Sequence, residues 1–502
     1  MEETQRHSIL SGLTPLTPFD LSTCDTVSEI VTGMSQCAFG ARMLGEVADT
    51  LERWTVKNIG PTPYLIYDGA HGTPLHGLLN SFPDGWFFGP YTSEEFIEKC
   101  RSSGKSPRRA VIVGHHSERH AAQIYAMTER IIFINDDRQC RPGQVKDGYF
   151  PDVVFADPNL VMPILRLTLN ERLGGERATA YDLMKSLETF GGVAKETVHG
   201  AYTLSKMLAD PDCMVMLTIS GAMTIAKMQP LVVDLIETGR IKYVAATGAL
   251  MAHGLVEGSA CQHYKYDPEM TDAQLAALGL NRVTDTLEPE SNFDHIEKIV
   301  TAVLRKFNPK TRHPRITNSS EFHRELGKYL AKHHPHERAI LKSAYRRAIP
   351  IVTPAFTDSE LANDVFVHNA RLRAKGLGKI IFDQERDTQV LFDLATRSKK
   401  LGIFTIGGGV PRNNTQNVAP LIEIYNARLK KKLPPGIFSY GCRIDPASMA
   451  LGHMSGCTYS EGASWRKFML DGMLAEVRAD ATIVWPFIQK FALERFHLAK
   501  AA

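Results

Sequence analysis

The stretch Glu461-Gly-Ala-Ser464-Trp465-Arg-Lys467 carries the residue types most suited to covalent chemistry in this chain. A lysine does covalent work only as the free amine, and an indole two residues away favours that form by stripping water from the ammonium. On a helix, Glu461 and Trp465 stand at i and i+4 and share a face. One carboxylate beside one aromatic plane suits a flexible, cationic, mostly methylene substrate. Taken alone, the same seven residues also fit a surface helix with an ordinary glutamate, a half-buried tryptophan and a solvated lysine.

A second motif lies upstream, Gly402-Ile-Phe-Thr-Ile406-Gly407-Gly408-Gly409-Val410-Pro411-Arg412-Asn413-Asn414. A short apolar run, three glycines and a proline read as a buried strand, a tight turn and a helix start. Glycines there let the backbone approach a phosphate, and a helix N-terminus offers N–H donors and a favourable dipole. The spacing is not the fixed dinucleotide fingerprint, so the triple glycine by itself says little.

Elements that place such motifs follow from the rest of the chain. At 502 residues it is too long for one ordinary core, so two domains are expected, with a boundary near the polar break at Gly174-Gly175. These are an N-terminal α/β accessory region over 1–175 and a catalytic domain over 176–502. Strand-like runs at Tyr64–Tyr67, Ala110–Val113, Ile131–Ile134, Val153–Ala156, Met214–Ser220, Tyr243–Ala246, Ile349–Thr353, Lys379–Phe382, Ile403–Ile406 and Gly436–Tyr440 alternate with amphipathic helices. Those include Ala180–Leu187, Leu231–Thr238, Phe293–Phe307, Glu321–His333 and Asp387–Leu401, with a surface loop over Asn308–Ser320. The alternation predicts an α/β chain with a mainly parallel sheet.

Composition excludes several classes. Lys plus Arg is 58 against 55 Asp plus Glu, a net charge of +3, which is no electrostatic case for a nucleic-acid partner. Basic runs such as Arg428–Lys432 lack interleaved aromatics and read as solvated faces. The 8 cysteines are scattered with no CxxC pair, which indicates neither a zinc ribbon nor a disulfide framework. No run approaches the ~18 apolar residues of a membrane span, and no leader is evident, so a cytoplasmic protein without a membrane partner is expected.

With these pieces in order, residues from about 178 to 490 resemble the deoxyhypusine synthase family. The resemblance runs through Phe190-Gly-Gly-Val-Ala-Lys-Glu-Thr, the strand and turn Met214-Val-Met-Leu-Thr-Ile-Ser220-Gly221-Ala222-Met223-Thr224, and Ala246-Thr247-Gly248-Ala249. It continues through Leu280-Asn281-Arg282-Val-Thr-Asp285, Pro350-Ile-Val-Thr-Pro354-Ala-Phe-Thr357-Asp358, the Gly407–Gly409 loop and the heptad ending at Lys467. It implies a Rossmann-like parallel sheet with helices on both faces, the cofactor NAD, and a homo-oligomer, dimer or tetramer, with active sites at a subunit interface. By that resemblance Lys467 is catalytic and carries an aminobutyl imine derived from spermidine. Glu461 and Trp465 hold the polyamine, with Asn413 and Met454 in the same substrate site. Cofactor contacts fall on Ser220, Gly221, Thr224, Thr247, Gly248, Ala249, Asp358, Gly408, Gly409, Ser455 and Gly456. Hydride chemistry belongs to the cofactor, which leaves the protein to position carbon and exclude water.

The chain departs from the family pattern at three of these places. Asn413 stands where the family carries a histidine, Met454 where an acid grips a substrate amine, and His253 where an acid contacts the cofactor. The expected activity is therefore NAD-dependent transfer of an aminobutyl or related alkylamine group, through Lys467, to an acceptor amine. That acceptor is a protein lysine, or a free diamine in a homospermidine-type reaction. A catalytically weak NAD-binding regulatory relative is the competing class. In the N-terminal third, His115-His116-Ser-Glu118-Arg-His120 places His116 and His120 at i and i+4, near Asp68-Gly-Ala-His71 and Asp136-Asp137. These residue types could ligate a metal, but the spacing fixes no third ligand, and no metal site is assigned.

Overall fold

The computed structural model describes residues 10–55, 59–104 and 106–501. Residues 1–9, 56–58, 105 and 502 of the two expected regions lie outside it. The architecture is α/β, with two large parallel sheets and, among the described residues, two small sheets of two and three strands. In the N-terminal half, β1 (Tyr64–Tyr67), β2 (Phe88–Tyr91), β3 (Arg109–Val113), β4 (Arg130–Asn135) and β5 (Val153–Phe155) pair in the order β2-β1-β3-β4-β5. The larger sheet holds β6 (Cys213–Ile219), β7 (Ile241–Ala246), β8 (Ile351–Val352), β9 (Lys400–Ile406), β10 (Phe438–Ile444) and β11 (Phe468–Val477). Its spatial order is β8-β7-β6-β9-β10-β11, every pairing parallel.

That order is the doubly wound arrangement of a Rossmann-like sheet. The chain fills one half outward from β6 and then returns to build the other half outward from β9. Loops leaving β6 and β9 therefore diverge to opposite faces and open a crevice at the carboxyl ends of the strands. The central strands read as nearly unbroken apolar runs because both faces are covered by helices. Thr218 and Thr405 are the polar exception; opposite each other on β6 and β9, they satisfy one another by a 2.8 Å hydroxyl hydrogen bond. The helix Gly192–Ala209 lies on β10 and β11, and Gly200 permits the approach, since a Cβ there would stand 2.7 Å from Val477.

The segment 10–55 joins neither sheet. Its helix Phe39–Thr55 is anchored to the C-terminal part of the chain by Phe39, whose amide donates to Asp285 at 3.0 Å, and by Arg42, which is ion-paired with the same carboxylate. This places Phe39 beside the carboxyl end of the larger sheet, where sequence periodicity gave no sign of it.

Several boundaries differ from the sequence expectation. The helix expected over Asp387–Leu401 ends at Arg397, and β9 already begins at Lys400, because Leu401 and Ile403 pair with β6 rather than continuing the amphipathic face. Within Asn308–Ser320, Arg315–Thr317 pairs with Ile380–Phe382 as a two-stranded parallel sheet. A three-residue strand is too short to leave a period-2 signal. The strand β11, directly after Lys467, was not expected at all. Between Phe438↔Phe468 and Tyr440↔Met473 its register shifts, so Met469–Gly472 bulge from the sheet edge and obscure the alternation. Among the described residues no helix is long and apolar enough to cross a membrane.

His323, on the helix Ser319–His333, is fully enclosed and donates from Nδ1 to the Ile351 carbonyl of β8 at 3.0 Å. Burial pushes its pKa down to about 4. The folded imidazole therefore refuses a proton that the unfolded chain accepts below about 6.5, so stability is present above that pH and is lost as pH falls toward 4. The full loss is on the order of 3 kcal/mol. Thermal unfolding followed from pH 7 to pH 4 should show this decline, and His323→Asn, which keeps a donor, should make it shallower.

Candidate active site

A cavity of about 810 Å³ occupies the crevice between β6 and β9. Its floor is the Ser220-Gly221 turn after β6 and the Gly407–Gly409 loop after β9. Asp445 after β10, the His453–Ser455 turn, Asp480 and Phe39 complete the wall. Ser220 ties the two turns together, since its Oγ accepts from the Gly408 amide at 2.9 Å. Gly407 and Gly409 have φ of 78° and 64°, the left-handed region that a side chain resists. A Cβ on Gly408 would meet Asp445 Oδ2 at 2.6 Å and Ser455 Oγ at 2.7 Å, whereas one on Gly409 would meet nothing within 4 Å. The loop is thus packed from behind and bare toward the cavity, the arrangement a dinucleotide backbone needs for close approach. The helix Gly409–Gln416 starts there.

Lys467 reaches the helix that follows this loop, and it is not among the residues that line the cavity. Its Nζ donates to Asn413 Oδ1, one turn into that helix, at 3.0 Å. The lysine is only 9 % exposed, and burial lowers its pKa from the usual lysine value. An amide oxygen accepts a hydrogen bond but takes no proton and brings no full negative charge, so Asn413 fixes the amine without holding it as ammonium as strongly as a carboxylate would. Desolvation acts first, and the nearby Arg412 guanidinium works in the same direction against Cys457 and Glu461.

Two buried arginines, neither expected from the sequence, fix the strand of backbone between cavity and lysine. Arg443 on β10 donates to the carbonyls of Ser455 and Cys457 at 2.8 and 2.7 Å and lies 3.6 Å from Glu476. Arg412 donates to the Cys457 carbonyl at 2.6 Å, and both guanidiniums lie over the Tyr459 ring, at 5.5 and 6.0 Å. They clamp Ser455–Cys457, from which the helix Tyr459–Ser464 leads into Lys467. An arginine on the helix Gly409–Gln416 and another on β10 give no sequence cue that they will be buried.

The remaining expected residues fall in three places. Ser220, Gly221, Gly408, Gly409, Met454 and Ser455 line the cavity, and Gly456 is buried behind it with its amide bonded to the His453 carbonyl at 2.9 Å. Thr247, Gly248 and Ala249 open the next helix along, Gly248–Gly258, at the end of β7 and do not line the cavity. Asp358 is adjacent to them, its carbonyl 3.2 Å from where a Gly248 Cβ would stand. Thr224 is buried behind the β6 turn, with its hydroxyl on the Leu250 carbonyl at 3.3 Å. Trp465 caps the end of the Tyr459–Ser464 helix instead of facing Glu461 from within it, and the residue is 64 % exposed in the single chain. Glu461 is exposed in the first turn of that helix, with its amide capped by Thr458.

Neither histidine motif of the N-terminal half gathers ligands. The helix begins at Glu118, so His116 precedes it; His116 Nε2 bonds the Tyr125 hydroxyl at 2.9 Å, and His115 bonds Asp137 at 2.5 Å. Among the described residues, the group of three potential ligands is elsewhere, at His253, His263 and Glu288. Lys227 Nζ lies 3.1 Å from His263 Nδ1. An ammonium only donates, so Nδ1 accepts and the ring proton sits on Nε2, which donates to Glu288 at 2.8 Å. His253 Nδ1 bonds the same carboxylate oxygen at 2.6 Å and Asn292 bonds the other at 2.9 Å. Burial alone would raise the Glu288 pKa, but the two imidazoles more than offset it and hold the carboxyl ionised. The cluster is a satisfied buried network.

Comparison with known proteins agrees with this geometry. Residues 182–491 match the family model described as deoxyhypusine synthase. A protein of Methanosarcina acetivorans named probable deoxyhypusine synthase 2 is 27% identical over 316 residues, 63% of this chain and 87% of that one. The probable deoxyhypusine synthase 1 of Archaeoglobus fulgidus is 28% identical over 311 residues, 62% and 93% of the two chains. A deoxyhypusine synthase-like protein of Chlorobaculum tepidum is 24% identical over 327 residues, 65% and 89%. The matched span holds both glycine turns, Asn413 and the Lys467 heptad in one doubly wound sheet, and the chain belongs to the deoxyhypusine synthase family of transferases.

Proposed function

We propose that this chain is an NAD-dependent aminobutyl transferase that carries its cargo as an imine on Lys467. The observation behind this reading is the 3.0 Å contact between Lys467 and Asn413, which ties the lysine to the helix that begins at the glycine loop. The bare backbone at Gly409 and the volume of the crevice fit NAD, and Ser220, Gly221, Gly408, Gly409 and Ser455 are the residues that would hold it. When bound, NAD would supply the acceptor for hydride from the carbon that bears the amine nitrogen, and later the donor for reduction.

The chain's own groups account for the transfer. Lys467 as a free amine adds to the imine carbon of the oxidised substrate, spermidine or a related amine. The departing diamine takes a proton, and the aminobutyl group remains on Nζ. An acceptor amine then reverses the exchange. Throughout, Asn413 orients Nζ while Glu461 offers a carboxylate to the cationic tail.

An imine must be kept from water. Met449, Met454, Trp465, Met469 and Leu470 are all substantially exposed on the segment around Lys467, Leu470 at 94 %. Apolar side chains grouped there support a homo-oligomer in which a second copy covers the site. The segment 10–55, through Phe39, closes another side, which supports reading 1–175 as an accessory region to a catalytic domain over 176–502. The acceptor is a protein lysine in the deoxyhypusine reaction. Met454 on the cavity wall favours, as second reading, a small diamine acceptor in a homospermidine-type reaction.

Borohydride reduction with NAD and labelled spermidine should leave stoichiometric label on the wild type and none on Lys467→Ala; absence of label from both, with NAD still bound, would refute the mechanism. Gly408→Ala forces a Cβ onto Asp445 and Ser455, so NAD affinity measured by calorimetry should fall at least tenfold, about 1.4 kcal/mol, while the fold persists.

A further inference from the structure

Asp445 sits at the carboxyl end of β10, beside the glycine loop, and is only 5 % exposed. Its amide donates to the Val477 carbonyl at 3.0 Å, which fixes the backbone, and its Oδ1 accepts from the Ala447 amide at 2.8 Å. Oδ2 has no hydrogen-bond donor among the described residues, although it lies in the wall of the cavity next to Gly408 and Ser455. A buried carboxylate oxygen left without a donor costs the fold free energy, and such groups persist where a ligand completes them.

The surroundings define what that ligand offers. Arg443, two residues earlier on the same strand, is already engaged by Ser455, Cys457 and Glu476. Among the described residues no lysine or arginine lines the cavity. Its other carboxylate, Asp480, is committed to the Thr482 amide and hydroxyl, each at 2.8 Å. The wall therefore presents one carboxylate oxygen, Asp445 Oδ2, without a donor among the described residues. With Oδ1 occupied, a single oxygen is available, which suits the compact point charge of an alkylammonium better than a vicinal diol that would use both oxygens.

We propose that Asp445 is a substrate-binding residue whose free oxygen anchors an ammonium group of the amine substrate in the crevice. This deepens the reading of the cavity as an amine-oxidation site and rests on it. Replacement of Asp445 by Asn keeps the size and the Ala447 contact, removes the charge, and turns the free oxygen into a donor or leaves it neutral. Because the unpaired charge is a liability without ligand, the variant should be as stable as the wild type or more so.

The test is calorimetric titration of the full chain, wild type and Asp445→Asn, first with NAD and then with spermidine on the NAD-loaded protein. The expected result is at least a tenfold weaker spermidine affinity in the variant, with NAD affinity and Tm maintained. Equal spermidine affinity in the two proteins would overturn the assignment while leaving the transferase reading in place. Loss of NAD affinity with spermidine binding unchanged would also overturn it and make Asp445 a cofactor anchor. A fall in Tm without change in either affinity would show a purely structural residue. If the wild type itself binds no polyamine, the substrate reading fails and the anchoring role fails with it.

Discussion

The hydrogen bond from Lys467 to Asn413 joins two parts of the chain that the sheet would otherwise keep apart. Asn413 belongs to the helix that starts at the switch point between β6 and β9, while Lys467 precedes the edge strand β11, two strands away. Because β9, β10 and β11 run parallel, the residue before β11 lies at the amino edge, level with the start of β9, and the helix leaving the carboxyl edge of β9 brings Asn413 to it. Within that frame, Asn413 receives the lysine through a neutral oxygen. A carboxylate at the same place would stabilise the ammonium and defeat nucleophilic chemistry.

The scaffold accepts local costs to hold this geometry. Two guanidiniums are buried against one tyrosine ring, and the Nε and Nη1 of Arg412 have no acceptor among the described residues. Burying such charges is unfavourable by several kcal/mol per ion before compensation. What they achieve is the immobilisation of the Ser455 and Cys457 carbonyls, and with them the entry into the helix Tyr459–Ser464 that precedes Lys467. Asp445 is a further cost on the opposite side of the same loop. Unsatisfied polar groups thus gather around the glycine loop, the pattern expected where preorganisation for a ligand is favoured over stability of the empty fold.

Much of this was legible in the residues. Apolar runs such as Met214–Ser220 and Ile403–Ile406 are central strands buried on both faces, and such runs declare themselves without any alternation. The glycine loop and the lysine heptad stand out by residue type, but each alone also fits an ordinary surface element, and their joint role is what the resemblance to the deoxyhypusine synthase family implies. What stayed hidden depends on tertiary placement. Phe39 reaches the cavity only because Asp285 and Arg42 pair across more than two hundred residues, Asp445 is an ordinary strand-end acid until the cavity forms around it, and β11 is disguised by its bulge. The i,i+4 relation of Glu461 and Trp465 failed for a local reason: the helix stops at Ser464, one residue short.

The central claim is that the fold holds Lys467 as a nucleophile, and its titration tests that most directly. Competitive acylation of the full chain across pH 6 to 11, with each lysine quantified by mass spectrometry, would report the basicity of Lys467 beside that of the surface lysines. The account requires its midpoint to lie clearly below the surface group and to move upward in Asn413→Asp. A midpoint shared with the surface lysines, and indifferent to that substitution, would contradict it.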